Sequence, residues 1–197
     1  MMKFFGKWDS NGVQVLDPGL REYINLTPVL VPRSAGKNSN KRFYKNRYSI
    51  VERLINKLMI PGHKGKKHFI SSGRCGGKSL TGVKIVIGAF QLIEEKTKKN
   101  PIEVFVKAIE NAAQREEITT IEYGGARYPQ AVDSAPQRRV DFALRMMVQG
   151  TYQRSYGKKT KAFEALADEI IRASQLDAKS LAVSKKLELE RQADAAR

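Results

Sequence analysis

A glycine pair, Gly124-Gly125, sits between the only two runs of this 197-residue chain that read as β structure. Ile118 to Tyr123 is rich in Thr, Ile and Tyr, and Ala126 to Val132 is its short companion. Two glycines supply positive φ at both central residues, as a two-residue type I′ turn requires, so the pattern predicts a β-hairpin over about 118–132. Its sizeable apolar groups are Ile118, Ile121, Tyr123, Tyr128 and Val132, and two strands alone are marginal in water. The hairpin is therefore expected to project from, or lie against, a helical body. Arg127 and Tyr128 put a cation and a ring beside the turn, where phosphate and base can be met. An ordinary connector with surface charge fits the same residues.

The body is legible from its 3.6-residue period. Tyr48, Val51, Leu54, Ile55 and Leu58 form one face of a first helix that ends before Pro61, with Arg53 and Lys57 on the other face. Leu80 to Lys98 carries Val83, Val86, Ile87, Phe90 and Ile93, widened by Ile85, Ala89 and Leu92, which predicts the central buried helix. Asn100-Pro101 opens a third helix, with Ile102, Phe105, Val106, Ile109 and Ala113 inward. A fourth starts at Ser134-Ala135-Pro136 and turns Val140, Ala143, Leu144, Met147 and Val148 inward. Arg138, Arg139 and Arg145 are assigned to its outward basic face, which Arg154, Lys158, Lys159 and Lys161 extend. A fifth helix runs through Phe163, Leu166, Ala167, Ile170 and Ile171. A sixth, Ala178 to Ala196, is weakly amphipathic through Leu181, Leu187 and Leu189. The fold class is mainly α: about six helices in a bundle, a protruding two-stranded β-hairpin and an irregular basic N-terminal extension. Residues 1–46 form that extension, with Trp8, Tyr23, Ile24, Leu26, Val29, Leu30 and Val31 as anchors, and residues 47–197 form the helical domain.

Charge points to the partner. The chain has 36 Lys and Arg against 20 Asp and Glu, a net of +16. Between Arg33 and Lys84 there are 14 cations and the single acid Glu52, so +13 of the net lies in 52 residues. Charge distributed for solubility would be spread evenly; concentrated charge suits a polyanion, whose condensed counterions are released on binding. The segment RSAGKNSNKRFYKNR, Arg33 to Arg47, interleaves Phe43 and Tyr44 with cations, as in an arm that orders on RNA. Nucleic-acid contacts are assigned to Lys37, Lys41, Arg42, Tyr44, Lys45 and Arg47 in this arm. Lys64, Lys66, Lys67, Arg74 and Lys78 follow in the glycine-rich loop, then Arg138, Arg139, Arg145, Arg154, Lys158 and Lys159. No membrane partner is expected, because no apolar run approaches the roughly 18 residues of a spanning helix. MMKFFGKW is too short and polar for a signal peptide, so a cytoplasmic protein is expected. The lone Cys75 excludes an internal disulfide.

Three catalytic leads fail on spacing. Gly77-Lys78-Ser79 would complete a phosphate-binding loop only with Gly at position 72, which is Ser72. His63, His68 and Cys75 fall short of the four ligands of structural zinc. Glu116-Glu117 are adjacent acids ahead of a strand, and neighbours on a chain do not converge on one site. The reading therefore contains no catalytic residue, no metal and no cofactor. A DNA-binding protein would be expected to show a helix-turn-helix or a dimer seam.

Several long motifs in order resemble the small-subunit ribosomal protein seven family. They are YSIVERLINKLM at Tyr48 to Met59, KNPIEVFVKAIENAAQREE at Lys99 to Glu117, IEYGGARYPQAV at Ile121 to Val132 and PQRRVDFALR at Pro136 to Arg145. The likeness continues through ALADEIIRAS and KKLELERQA and covers about four fifths of the chain. DPGLREYINLTPVLVP and KGKKHFISSGRCGGKS resemble the archaeal branch. The resemblance implies a structural constituent of the small ribosomal subunit that binds the 3′ major domain of its rRNA and nucleates assembly of the head. It implies neighbouring ribosomal proteins of the head and platform as partners. It also puts Gly124, Gly125, Ala126, Arg127 and Tyr128 near the exit-site tRNA and the mRNA path, and makes Arg138 and Arg139 rRNA-facing. Replacing Arg138 and Arg139 by Ala is accordingly expected to weaken rRNA binding and leave the fold intact. The alternative is a general nucleic-acid binding protein outside the ribosome.

Overall fold

The computed structural model describes residues 2–62 and 75–197. A short 3-10 helix, Tyr44–Arg47, leads into α1 (Ile50–Leu58), α2 (Ser79–Thr97) and α3 (Pro101–Ala112). The hairpin β1 (Glu116–Tyr123) and β2 (Ala126–Asp133) follows, and α4 (Pro136–Ser155), α5 (Ala162–Ser174) and α6 (Leu181–Asp194) complete the chain. The architecture is six helices and one two-stranded antiparallel sheet among the described residues.

Local chemistry sets the boundaries. Asn100 caps α3 by accepting the Ile102 N–H at 3.0 Å, and Pro101 occupies the first helical position, where its missing N–H costs nothing. Ser180 caps α6 by accepting from the Val183 N–H. Gly124 and Gly125 have φ of 61° and 81°, the left-handed values a type I′ turn needs. Strand pairing runs from Glu116 opposite Asp133 to Tyr123 opposite Ala126, so the ladder starts two residues earlier than the sequence pattern indicates.

The core differs from expectation at its centre. The wide stripe of α2 predicts that helix as the middle of the bundle, yet Leu80 is exposed and Val83, Ile85, Ile87 and Leu92 are only half-buried. The middle is α5, which packs on α2, α3 and α4. Its Ala165, Ala167 and Ala173 are buried, and small side chains let neighbouring helices approach closely. At Gly88 of α2 an added Cβ would stand 3.2–3.4 Å from the Phe163 side chain, so the α2–α5 crossing is close and Phe163 would have to give by a few tenths of an ångström to admit one. In α6 the buried face is Ala182, Val183 and Ala193, and Leu187 points outward.

The leader is part of this core. Phe4, Trp8, Leu20 and Ile24 are buried in the same cluster as the helices. Trp8 meets Phe90 edge-on, with centroids 5.5 Å apart, and donates its indole N–H to Glu94 at 2.9 Å. Asn100 reaches back to the Asp9 carbonyl at 2.6 Å. Leu30 and Val31, expected as anchors, are exposed.

Candidate nucleic-acid interface

The acids of this basic protein are largely committed to internal contacts. Asp17 takes Arg139 Nη2 at 2.7 Å, Asp141 takes Lys45 Nζ at 2.5 Å and Arg53 Nη2 at 3.2 Å, and Glu169 takes Arg154 Nη2 at 3.3 Å. Glu110 accepts the backbone N–H groups of Leu16 and Asp17, and Glu52 accepts both the N–H and the hydroxyl of Ser34. Burial acts to raise the pKa of Asp141, but the Lys45 hydrogen bond and the fields of Arg53 and Lys45 outweigh it and hold the group below the usual carboxylate value. Asp17 behaves alike: burial raises it, and Arg139 together with the Gly19 N–H brings it down.

Cations remain on the surface. Lys37, Lys41, Arg42 and Arg47 are exposed along the arm, as are Lys78, Arg145, Lys158 and Lys159 elsewhere. None of these eight forms an ion pair among the described residues. In the arm, cations lie against rings: Arg47 is 3.9 Å and Lys41 5.2 Å from the centroid of Tyr44, and Arg42 is 5.0 Å from that of Phe43. Such pairs present flat, positive surfaces on which a base can stack. Lys45 is half-exposed and holds the arm to α4 through Asp141. Lys64, Lys66, Lys67 and Arg74, with His63 and His68, lie outside the described residues. Cys75 is a free, half-buried thiol.

Two arginines differ from the outward face expected of them. Arg138 is 64% exposed and pairs with Glu117 at 2.6 Å, whereas Arg139 is buried against Asp17 and donates Nε to the Gln114 carbonyl at 3.0 Å. Successive helical residues point about 100° apart, and here that rotation carries Arg139 from the open face onto Asp17 and the Gln114 carbonyl. Arg154 likewise turns inward, donating Nη2 to the Lys179 carbonyl and forming an ion pair with Glu169, whose side chain is 0% exposed. An added Cβ at Gly150 would stand 2.9–3.1 Å from that carboxylate, so glycine leaves the space Glu169 occupies.

The hairpin is open from Thr119 to Gln130. Gly124, Gly125, Ala126, Arg127 and Tyr128 are all exposed at or beside the tip. Ile121 and Tyr128 are opposite one another, with Tyr123, 82% exposed, on the same face by strand alternation. Glu122 and Arg127 form the opposite face at 3.7 Å. At its base the hairpin is tied down by the Ser134 N–H to the Arg115 carbonyl, by Gln114 to Ser134, and by the Arg115 N–H to Glu190 of α6.

Comparison with known proteins fits this geometry to a family. Residues 20–197 match the family described as Ribosomal protein S7p/S5e. The chain belongs to that family. Its relatives include proteins named small ribosomal subunit protein uS7. The one from Nanoarchaeum equitans is 55% identical over 196 residues, covering 100% of this chain and 99% of the relative. That from Methanococcus maripaludis is 48% identical across 100% of this chain and 99% of its own length, and that from Methanococcoides burtonii 44% across 100% of both. Membership of the S7p/S5e family makes the chain a structural, non-enzymatic protein of the ribosome and locates it in the cytoplasm. Among the described residues, no helix is long and apolar enough to cross a membrane.

For an S7p/S5e protein, the residues missed by pattern reading are the internal pins: Asp17, Arg53, Asp141 and Glu169. Arg53 falls on the outer face by periodicity, yet its side chain is 2% exposed, donating to the Tyr23 carbonyl at 2.8 Å and to Asp141. The leader covers that side of α1, which helical periodicity cannot register. A signal was present: Asp141 is the one acid in α4, and Glu52 the one acid between Arg33 and Lys84.

Proposed function

We propose that this structural protein of the small ribosomal subunit binds the 3′ major domain of small-subunit rRNA and nucleates assembly of the head. The observation that carries the reading is the sorting of charge. Most carboxylates are engaged by partners within the chain, whereas the exposed cations of the arm, the α2 N-terminus, the middle of α4 and the α4–α5 loop form no ion pair among the described residues. Lys78 stands at the N-terminal end of α2, the positive end of its dipole, where an external phosphate would offset both charges. Contacts of this kind position RNA helices more than they read sequence.

The arm residues Lys37, Lys41, Arg42, Tyr44, Lys45 and Arg47 take one part of the rRNA in this reading, with Lys64, Lys66, Lys67, Arg74 and Lys78. Arg138, Arg145, Lys158 and Lys159 take another. Arg139 and Arg154 support that surface from within. Residues 1–46 act as an extension whose first part docks on the domain of 47–197 and whose basic part orders fully on RNA. Gly124 to Tyr128 reach toward exit-site tRNA and mRNA, and other proteins of the head and platform complete the surroundings.

A salt-titrated binding assay tests this. The full chain is compared on the 3′ domain of small-subunit rRNA, an unrelated structured RNA and a DNA duplex. Preference for the rRNA domain that survives raised salt is the expected result. Equal, steeply salt-dependent binding to all three would reject it in favour of a general nucleic-acid binding protein.

A further inference from the structure

The carboxyl end of α4 carries two tyrosines whose rings stack. Tyr152 and Tyr156 lie one helical turn apart, with ring centroids 5.0 Å apart and planes 23° from parallel. The backbone holds that spacing, because the Tyr156 N–H donates to the Tyr152 carbonyl at 2.8 Å while Tyr156 itself leaves the helix as its extended C-cap. Tyr152 is fixed in turn by Gly62, where an added Cβ would stand 2.7–3.2 Å from the ring. Tyr152 is half-buried, whereas Tyr156 is 61% exposed with one face already on Tyr152. Its other face is therefore open to solvent.

A side-chain pair at this spacing steadies the end of a helix, but it needs no open face to do so. The surrounding charge decides what that face is suited to. From Phe142 to Phe163 the chain has five cations and no acid. Arg154 is turned inward and Lys161 lies 5.7 Å from the centroid of the Phe163 ring, while Lys158 and Lys159 are exposed and form no ion pair among the described residues. Gly157, at a φ of 67°, turns the chain between the ring and these lysines, and the Lys158 N–H closes that turn on the Ser155 carbonyl at 3.2 Å. An open aromatic face accepts either a flat cation or a nucleobase. Two uncompensated lysines repel the first and attract the phosphates that accompany the second.

We infer that Tyr156 is the stacking platform for one unpaired base of a bound RNA, with Tyr152 as its positioning residue and Lys158 and Lys159 on the phosphates that flank the base. The inference rests on the rRNA reading above and adds a single-stranded nucleotide to it. Cations on phosphates set the position of an RNA without selecting an unstacked base; an open ring does select one.

The test compares the full chain with Tyr156→Leu, which keeps apolar bulk and loses the flat ring, and with Tyr156→Phe, which keeps the ring. Each is titrated over a salt series with the 3′ domain of small-subunit rRNA, with oligouridylate and with an abasic ribose-phosphate strand of equal length, and each is melted alone. Tyr156→Leu is expected to bind the rRNA domain about tenfold more weakly at every salt concentration, with an unchanged slope against log salt, because stacking releases no counterions. It also loses part of the preference for oligouridylate over the abasic strand, whereas Tyr156→Phe stays within about twofold of wild type on both. The melting temperature of Tyr156→Leu should stay within about 2 °C of wild type, as for an exposed side chain. Equal binding by all three proteins overturns the platform. So does a loss of affinity matched by a larger fall in melting temperature, which would assign the ring to packing. If wild type fails to prefer its rRNA domain over an unrelated structured RNA, the parent reading falls instead, and the oligouridylate and abasic strands still judge the platform.

Discussion

Arg138 and Arg139 are neighbours in sequence with opposite employment, and the two regions they serve differ in the same way. In the bundle, three inward-turned arginines are each fixed by a partner of opposite sign: Arg139 by Asp17, Arg53 by Asp141, Arg154 by Glu169. In the hairpin, residues 119–130 are all exposed. Charge in the first region holds segments distant in sequence together; charge in the second remains open to whatever the hairpin touches. Residue type alone does not separate the two uses, since Arg serves in both.

The sharpest way to break this contrast is at Glu169. Glu169→Ala removes the acceptor of Ser180 Oγ and of the Ala182 N–H and the ion-pair partner of Arg154, and is expected to cost about 3 kcal/mol in urea unfolding. A loss below about 1 kcal/mol would show the pin to be dispensable. Next comes Arg139→Met, expected to cost about 2 kcal/mol, discounted because Asp17 keeps some solvent contact. Arg138→Ala should stay within about 0.5 kcal/mol, as for exposed pairs generally. Equal effects of the two would remove the distinction between neighbours. The double replacement of Arg138 and Arg139 thus measures folding as well as binding, contrary to the expectation from sequence.

Acid offers a graded version. The pKa values of Asp17 and Asp141 are lowered in the folded chain, so their contribution is fully present above the ordinary value of 3.8 and is lost as pH falls through the folded values. Urea midpoints should therefore drop steeply below about pH 4, and Asp141→Asn should flatten part of that drop. A variant as acid-sensitive as wild type would place the titration elsewhere. In the hairpin, Gly125→Ala forces a Cβ onto a φ of 81° and should cost about 1 kcal/mol or less of local order. Replacing 121–129 by a short turn should move the global melting temperature least of all. Core loss on that deletion would mean that the hairpin braces the bundle.

Legibility in the sequence follows the same divide. Gly124-Gly125 and the alternating Thr, Ile and Tyr around them announce the hairpin because both signals are local. The inward residues of α3 and α4 are legible for the same reason: Phe105, Ile109, Leu144 and Met147 repeat at helical spacing on one face and are buried. What periodicity could not supply was the identity of the covering layer. Arg53 reads as outward until the leader lies over it, α2 reads as central until the small residues of α5 draw α2, α3 and α4 around that helix, and Leu187 reads as inward although the tighter Ala182 and Val183 take that face. Of the candidate interface, the positions carrying excess charge were legible, and the pairing that exempts Arg139 and Arg154 from it was not, because both partners are fixed by tertiary packing.

The stitched leader bears on the order in which the molecule is made. Trp8 finds Glu94 and Phe90, Asp9 finds Asn100, Leu16 finds Glu110, and Asp17 finds Arg139. A chain growing from its amino end at about 5–20 residues per second exposes Trp8 for several seconds before Phe90 emerges, and Asp17 for longer still before Arg139. Contacts of such sequence separation also carry a loop-closure cost that local helices avoid. The leader is therefore fastened well after it is made, and during translation its apolar side chains must wait in solvent, or on a chaperone, for the bundle that receives them.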